Sequence, residues 1–332
     1  MSIKFSDLPI TQPAFHWQVS NNPSMDEMKV HEWIQPYREE VRGLWDAVIL
    51  GVPLSRSSIS ASGASEFPNA FRKTWPKFTT YNLDLRLDLG KLNVCDLGDV
   101  KMHVTDIARC HNNISSAMAG IQQLYPNSLT ISIGGDHSIT AMLVKGIHQV
   151  YRDKKIGILQ LDTHLDLRDL TDNGPSNGTP IRNLIEQRII EGKHVYNIGP
   201  HGFFNTKALV KFADEHEVNI ITLKEVRKKG IETVIAEALR KLTEEVDVIY
   251  VTCDMDVLDI AVAPGVPVST PGGLTTFELF EALTIAGMNE KVKAMDIVCL
   301  DPLRDYRQQP TVKAGTHAFL SFLSGYALKK RR

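Results

Sequence analysis

The chain has 332 residues, of which 43% are hydrophobic and 23% are charged, and its formal net charge is -2. Such a composition is typical of a globular protein, and the length fits one large α/β domain as well as two small ones. The near-neutral charge argues against a nucleic-acid or anionic-membrane partner, and no continuous apolar run is long enough for a membrane span. Four scattered cysteines without a CxxC pair, and no signal-like N-terminus, predict a cytoplasmic protein.

The predicted elements begin after a polar lead-in that is interrupted by prolines. We expect residues 1–45 to be irregular, with one short helix, and residues 46–328 to form a single α/β domain. Within that domain, short apolar and β-branched runs predict buried parallel strands. These runs are DAVILGVP (46–53), SLTISIGG (128–135), KIGILQLD (155–162), HVYNIG (194–199), VNIITL (218–223), DVIYVTCD (247–254) and AMDIVCLD (294–301).

Helices are predicted between the strands from apolar stripes at helical spacing. The stripes comprise Ile107, Ile114, Ile121 and Leu124, and then Ile231, Val234, Ile235, Ala238, Leu239 and Leu242. Thr275 stands three positions before Glu278, which is the spacing of a capping box at a helix start. Strands that alternate with helices of this length predict βαβ units and a mainly parallel sheet.

Side chains that can bind metals follow three of the predicted strands. They are Asp136 and His137, then Asp162, His164 and Asp166, and then Asp254, Asp256 and Asp259. The carboxyl ends of parallel strands share one crevice, and alternate residues of an extended backbone point the same way, so each set is expected to converge. Any one of these segments alone would more often be a turn or a helix cap. Together they predict a site in which two divalent cations offset the mutual repulsion of the carboxylates.

The mixed oxygen and nitrogen donors, with no thiolate in these three motifs, favour Mn²⁺ over a structural zinc ion. The motifs read GGDHS (134–138), DTHLD (162–166) and TCDMDVLDIAVAPGVPVSTPGGL (252–274), and together they resemble the ureohydrolase family of arginases, agmatinases and formimidoylglutamases. The departures from the family pattern are Thr163, Thr252 and Ile260, and none of them removes a ligand. The resemblance runs from about residue 46 to 325.

The resemblance implies a three-layer α/β/α sandwich and a binuclear manganese cluster. One ion would be held by His137, Asp162, Asp166 and Asp254, and the other by Asp162, His164, Asp254 and Asp256. Asp162 and Asp254 would bridge the ions, while Asp136 and Asp259 would orient the ligands. In such a hydrolase a hydroxide that bridges the ions attacks an amidine or guanidinium carbon. Relatives form trimers or hexamers, so a homo-oligomer is expected.

Within the family, the loop GVPLSRSSISASGAS (51–65) resembles that of formimidoylglutamases, which convert N-formimidoyl-glutamate to glutamate and formamide in histidine breakdown. Asn177 stands where arginases and agmatinases have a proton-relaying histidine. A substrate with two carboxylates needs cationic recognition, and Arg168 is our first candidate because it would face the same way as Asp166 in extended backbone. Arg56 and Arg182 are further candidates.

Two substrate-pocket positions depart from the family. Cys299 occupies the place of a glutamate that pairs with the cationic substrate, and His201 stands where relatives often have arginine. The leading hypothesis is a formimidoylglutamase whose small-molecule substrate is N-formimidoyl-glutamate. The open alternatives are a ureohydrolase with a guanidino substrate, and a metal-binding homologue without activity, which Cys299 favours.

Overall fold

A central sheet of ten strands organises the part of the chain that the computed structural model describes, residues 3–17, 27–39 and 44–331. A separate two-stranded sheet, β4–β5, lies beside it. The strands are β1 (Ile10–Thr11), β2 (Gln35–Pro36), β3 (Ala47–Gly51), β4 (Tyr81–Asn82), β5 (Leu87–Asp88), β6 (Val94–Val100), β7 (Leu129–Ile133), β8 (Ile156–Leu161), β9 (Val195–Ile198), β10 (Asn219–Ile221), β11 (Val248–Asp254) and β12 (Val292–Val298).

The strand order of the central sheet is β1-β6-β3-β7-β12-β11-β8-β9-β10, with β2 also paired to β6. All neighbours pair in parallel except β1, which runs antiparallel to β6. Each of the seven strands predicted from the sequence is present in this sheet. Crossover connections place strands that are distant in sequence, such as β7 and β12, side by side, and so the carboxyl ends of four of them meet.

Strand β6 was not predicted, because two aspartates and a glycine interrupt its apolar pattern. Arg72 compensates the negative charge of these two aspartates. Its Nε lies 2.7 Å from Asp96 and its Nη1 lies 2.7 Å from Asp99. All three side chains are buried. Buried charges persist when each has a hydrogen-bonded partner, and here the partner comes from a helix rather than from the strand itself.

The helices cover both faces of the sheet. They are α1 (Val30–Trp33), α2 (Phe67–Thr74), α3 (Ile107–Leu124), α4 (Ser138–Val150), α5 (Leu170–Asn173), α6 (Pro180–Glu186), α7 (Lys207–Glu215), α8 (Leu223–Lys229), α9 (Ile231–Glu245), α10 (Thr276–Gly287) and α11 (Pro310–Arg331). Helices α3, α4 and α6 pack together as one group, and α2, α11, α10, α9 and α8 as another. The predicted three-layer sandwich with a mainly parallel sheet is therefore confirmed.

Both predicted apolar stripes are confirmed, since they lie on α3 and α9 and face the core. The capping box at the start of α10 is also confirmed: the Glu278 carboxylate accepts the N–H of Thr275 at 2.8 Å, and Thr275 Oγ1 accepts the N–H of Glu278 at 3.2 Å. In the described residues, no helix is long and apolar enough to cross a membrane.

The lead-in is more ordered than expected. Its described parts contain the predicted short helix, α1, but also β1 and β2, both of which pair with the outer edge of β6. The rest of this prediction falls on residues outside the described ranges. Strands on both sides of residue 45 belong to one sheet. The domain limits of 46 and 328 stay a prediction.

Candidate metal centre

The candidate ligands lie at the carboxyl ends of three strands, β7, β11 and β8, in a row of four neighbours in which β12 lies between β7 and β11. His137 follows β7 at the start of α4, and Asp254 is the last residue of β11. Asp162 follows β8, whose Leu161 is in register with Cys253 of β11. Because all four strands are parallel and adjacent, their ends place these side chains in one crevice.

Tight turns aim the ligands, and this corrects the expectation of extended backbone. Asp162 Oδ1 accepts the N–H of His164 at 2.6 Å, and Asp254 Oδ1 accepts the N–H of Asp256 at 2.9 Å. In both turns the aspartate carboxylate accepts a hydrogen bond from the backbone N–H two residues later in the chain. Asp166 has a φ of 54°, a left-handed conformation that is uncommon outside glycine. The chain therefore folds back on itself after β8 instead of continuing as a strand.

His137 lies at the centre of the first ligand group. Its Nδ1 is 2.7 Å from Asp166 Oδ2, 3.1 Å from Asp254 Oδ2 and 3.2 Å from Asp162 Oδ2. Yet His137 Nδ1 and Asp166 Oδ2 are both buried and have no hydrogen-bond partner among the described residues. These donor atoms converge at short range without hydrogen-bond geometry. Ligands that share one cation have the same arrangement.

A second group overlaps the first. His164 Nδ1 is 2.8 Å from Asp256 Oδ2 and 3.7 Å from Asp162 Oδ1. The donor atoms of Asp162, His164 and Asp256 lie within 4.8 Å of one another, as do those of His137, Asp162 and Asp166. Asp162 belongs to both groups, one through each carboxylate oxygen, which is the arrangement of a carboxylate shared by two ions.

The electrostatics of the crevice favour cations. Burial raises the pKa of Asp162 well above its usual range, and the Asp166 and Asp256 carboxylates raise it further. Burial also raises the pKa of Asp254, to about 6. Burial alone would lower the pKa of His164, but the Asp256 carboxylate outweighs it and raises that pKa to about 10. Crowding of buried carboxylates therefore favours positive charge in the crevice, and divalent cations fit this donor set.

A buried network behind His137 was missed in the sequence. His137 Nε2 lies 2.9 Å from Thr252 Oγ1, and that hydroxyl donates to Asp296 Oδ1 at 2.6 Å. Asp296 Oδ2 accepts from Thr140 and from Tyr250, each at 2.7 Å. Since the Thr252 hydroxyl proton goes to Asp296, its oxygen accepts from the His137 Nε2–H. This fixes the Nε2 proton and turns Nδ1 towards the carboxylates, as the nitrogen that would lose its proton to bind a metal.

The two aspartates expected to orient the ligands both accept backbone N–H groups of nearby loops. Asp136 accepts from the backbone N–H of Ser138 at 3.0 Å and of Ser57 at 3.1 Å, so it fixes the turn before α4 and ties a surface loop to it. Burial raises the pKa of Asp136 to about 6. Asp259 accepts from the N–H groups of Ala261 and Gly272 and so closes its own loop, and its role in orienting the ligands stays a prediction.

Arg168 lies at the exposed rim of the crevice, and the expectation that extended backbone would aim it alongside Asp166 is corrected by the turn at Asp166. Its stem covers Gly178, where an added Cβ would meet Arg168 Cδ at 2.8 Å and Ile59 Cδ1 at 3.1 Å. Asn177 Oδ1 accepts the N–H of Ile59 at 2.8 Å, which joins the two rim loops. Within the described ranges the Arg168 guanidinium has no ion-pair partner.

Two other predicted substrate residues are engaged elsewhere. The Arg56 guanidinium donates to the backbone carbonyls of His103 and Val104. Arg182 lies 2.7 Å from Glu186 and 3.4 Å from Asp169, and its guanidinium lies over the Phe212 ring at 4.4 Å. Their donors hold loops and a helix in place, and substrate binding by these two arginines stays a prediction.

Cys299 follows β12 and lies inside the crevice, 4% exposed, with a φ of 61°. Burial, with the Asp254 carboxylate beside it, raises the pKa of the thiol well above its usual range. His201 lies at the rim: its Nδ1 is 2.9 Å from the Gly199 carbonyl oxygen, and its ring meets the Phe204 ring edge-on at 5.5 Å. Phe204 also meets the His164 ring edge-on at 6.3 Å and forms an aromatic wall that the sequence pattern did not indicate.

A parallel α/β sheet whose central strands end in two overlapping sets of buried histidine and aspartate donors defines a metal-dependent α/β enzyme. The comparisons make this class specific: residues 45–325 match the model of the arginase family, to which the chain belongs.

Curated relatives include a formimidoylglutamase of Halalkalibacterium halodurans, 42% identical over 85% of this chain and 87% of that protein. Another, from Bacillus subtilis, is 39% identical over 84% of this chain and 87% of that protein. The crystal structure of a Bacillus subtilis formimidoylglutamase matches 95% of this chain and 97% of that chain, with a TM-score of 0.88 and 36% identity. A Trypanosoma cruzi formiminoglutamase solved with Mn²⁺ matches 91% and 99% of the two chains, with a TM-score of 0.82 and 25% identity.

Proposed function

We propose that the chain is a formimidoylglutamase that hydrolyses the C–N bond of N-formimidoyl-glutamate in histidine breakdown and yields glutamate and formamide. The observation that carries this proposal is the pair of overlapping donor groups joined by Asp162, in a chain that is 42% identical to a formimidoylglutamase. Two Mn²⁺ ions would be held by His137, Asp162, Asp166, His164, Asp254 and Asp256. When bound, such ions lower the pKa of water and so supply a nucleophile near neutral pH.

The chain's own residues prepare the crevice for this chemistry. The Thr252–Asp296 pair holds the His137 ring so that its Nδ1 faces inward, towards the carboxylates. Asp162 and Asp254 are kept rigid by the backbone N–H groups that they accept. Gln160 Nε2 donates to Asp162 Oδ2 at 2.7 Å and fixes the plane of the shared carboxylate. The donor set is thus preorganised before any ion arrives.

Substrate selection is assigned to the rim. The guanidinium of Arg168 has no ion-pair partner in the described ranges, and it matches a carboxylate in charge and in its two-pronged geometry. Asn177 ties the loop that contains Ile59 to the loop beneath Arg168, and so fixes the width of the entrance. A glutamate-derived substrate would place its amidine at the metal end and a carboxylate at this rim.

One assay tests the proposal. The purified chain is loaded with Mn²⁺, its metal content is measured, and formimidoylglutamate, arginine, agmatine and guanidinobutyrate are supplied in separate reactions. We expect formamide from the first substrate and no urea from the others. Urea from any guanidino compound would assign a different hydrolase of the family, and two bound ions without turnover would assign a non-catalytic homologue.

A matched pair of variants localises the activity. Asp254→Asn removes a buried candidate ligand at the carboxyl end of β11, and it should abolish formamide release and lower metal content. Asp247→Asn changes an exposed aspartate beside the opposite end of the same strand, where its carboxylate accepts the N–H of Lys155 at 2.9 Å. It should retain both properties. The expected cytoplasmic location and the trimeric or hexameric assembly stay predictions.

A further inference from the structure

Cys299 is placed in the metal crevice by its backbone. It is the first residue after β12, between β7 and β11, and its N–H donates to the Gly135 carbonyl oxygen at 2.8 Å. Its φ of 61° lies in the left-handed region, where a side chain costs about 1 kcal/mol or more relative to glycine. Strained conformations of this kind concentrate at functional sites, where the side chain that they present is needed.

The thiol completes a third donor group. Cys299 Sγ, a nitrogen of His137 and a carboxylate oxygen of Asp254 all lie within 4.8 Å of one another, and all three residues are buried. Ligand bonds of about 2.0–2.3 Å around one ion separate neighbouring donors by about 2.8–3.8 Å and opposite donors by about 4–4.6 Å. His137 belongs to this group and to the first one, and its Nδ1 has no hydrogen-bond partner among the described residues. The same ion could therefore contact the sulfur.

We propose that Cys299 is a ligand of the ion held by His137 and Asp254, so that this half of the centre is a mixed thiolate, imidazole and carboxylate site. The inference rests on the proposed function, because it assumes that the crevice binds metal. On coordination the S–H proton leaves to solvent and the sulfur binds as thiolate. Thiolate ligation shifts preference towards softer divalent ions such as Co²⁺, Zn²⁺ and Cd²⁺.

The competing interpretation keeps Cys299 as a thiol that only donates a hydrogen bond to Asp254. The two differ in a spectroscopic signature, because a thiolate bound to Co²⁺ gives a charge-transfer absorption in the near ultraviolet and a free thiol gives none. The full chain is therefore loaded with Co²⁺ and compared with Cys299→Ser. Cys253→Ser is the matched control, since Cys253 is fully buried beside Asp254 but belongs to no candidate metal group.

We expect the charge-transfer band in the unaltered chain and in Cys253→Ser, and its loss in Cys299→Ser. Cys299→Ser should also weaken Cd²⁺ binding at least tenfold while it changes Mn²⁺ binding less. Absence of the band from the unaltered chain, at full Co²⁺ occupancy, would overturn the proposal without any need for a variant to fold. Survival of the band in Cys299→Ser would overturn it as well.

Failure of this inference is separable from failure of the proposed function. If the Mn²⁺-loaded chain releases formamide but the Co²⁺-loaded chain shows no band, the function stands and the thiolate ligand is rejected. If the band is present and no substrate is turned over, the ligand stands and the function is rejected. If no metal binds, both are rejected.

Discussion

Replacing Thr252 with valine is expected to weaken Mn²⁺ binding by a factor of about 10–100, the usual effect of removing a partner that orients a metal-binding histidine. Valine has nearly the shape of threonine and removes only the hydroxyl. That hydroxyl accepts from His137 Nε2 across 2.9 Å and donates to Asp296 across 2.6 Å, inside a fully buried region. Without it, nothing holds the proton on Nε2, and the ring loses its preference for an unprotonated Nδ1.

The magnitude follows from the bonds that are lost. A hydrogen bond to a charged group contributes about 1.5–3 kcal/mol, and a tenfold change in affinity corresponds to about 1.4 kcal/mol. A weakening of 10–100-fold is therefore about 1.4–2.8 kcal/mol, the range expected when His137 loses its link to Asp296. Asp296 keeps its hydrogen bonds from Thr140 and Tyr250, so the fold should persist.

The assay is titration of the metal-free chain with Mn²⁺, followed by calorimetry or by the electron paramagnetic resonance signal of free Mn²⁺. Thr252→Ser restores the hydroxyl and should recover affinity. Tyr250→Phe removes a different donor to Asp296 and should lower the free energy of unfolding by about 1.5–3 kcal/mol while leaving Mn²⁺ affinity within about threefold. If Thr252→Val binds Mn²⁺ within threefold of the unaltered chain, the assignment of this network to metal binding is refuted.

Two further predictions concern the rim and a buried histidine. Arg168→Gln should raise KM for formimidoylglutamate at least tenfold with little change in kcat, and Gly178→Ala should raise KM less. Arg182→Gln is the control and should leave KM unchanged. Steady-state kinetics in which Arg182→Gln has the larger effect on KM would contradict this prediction. Burial lowers the pKa of His111 to about 4, against an ordinary value of 6.5. The unfolded chain therefore binds more protons between these values, and the stabilisation present above pH 6.5 is lost as the pH falls towards 4. Between pH 7.5 and pH 5, denaturant unfolding should show that the free energy of unfolding falls by about 2 kcal/mol less in His111→Gln than in the unaltered chain. Equal falls in the two chains would show that His111 does not titrate in this way.

The strand ends could be predicted from the sequence because their signal is local. Each candidate ligand follows a buried apolar run within a few residues, and parallel strands bring such ends together without further information. The direction of the side chains could not be predicted in the same way. Asp166 and Cys299 adopt left-handed conformations that hydrophobic periodicity does not encode, so the interpretation of DTHLD as extended backbone was wrong.

Residues whose role depends on distant partners also escaped prediction. Asp296 lies in the middle of an apolar run, which signals a paired buried charge, but its partner Thr252 becomes visible only through the register of β11 and β12. Arg56 and Arg182 were chosen as candidates for their charge alone. Their partners lie on segments that the sequence does not connect to them, and these contacts use the donors that a substrate would need.

The two short strands of the lead-in, β1 and β2, cover an edge of the central sheet at which copies of the chain could otherwise associate. Strand β6 would otherwise present an open row of backbone N–H and C=O groups, the template on which sheets of different molecules join. Ile10 and Thr11 pair with one end of this edge, and Gln35 and Pro36 with the other. Pro36 itself has no N–H to donate, but the N–H of Tyr37 donates to the Asp96 carbonyl oxygen at 2.9 Å and extends this cover by one bond. A chain shortened to begin near residue 45 would keep every candidate ligand and yet expose this edge of the sheet, so the segment before residue 45 protects the sheet without contributing to the metal centre.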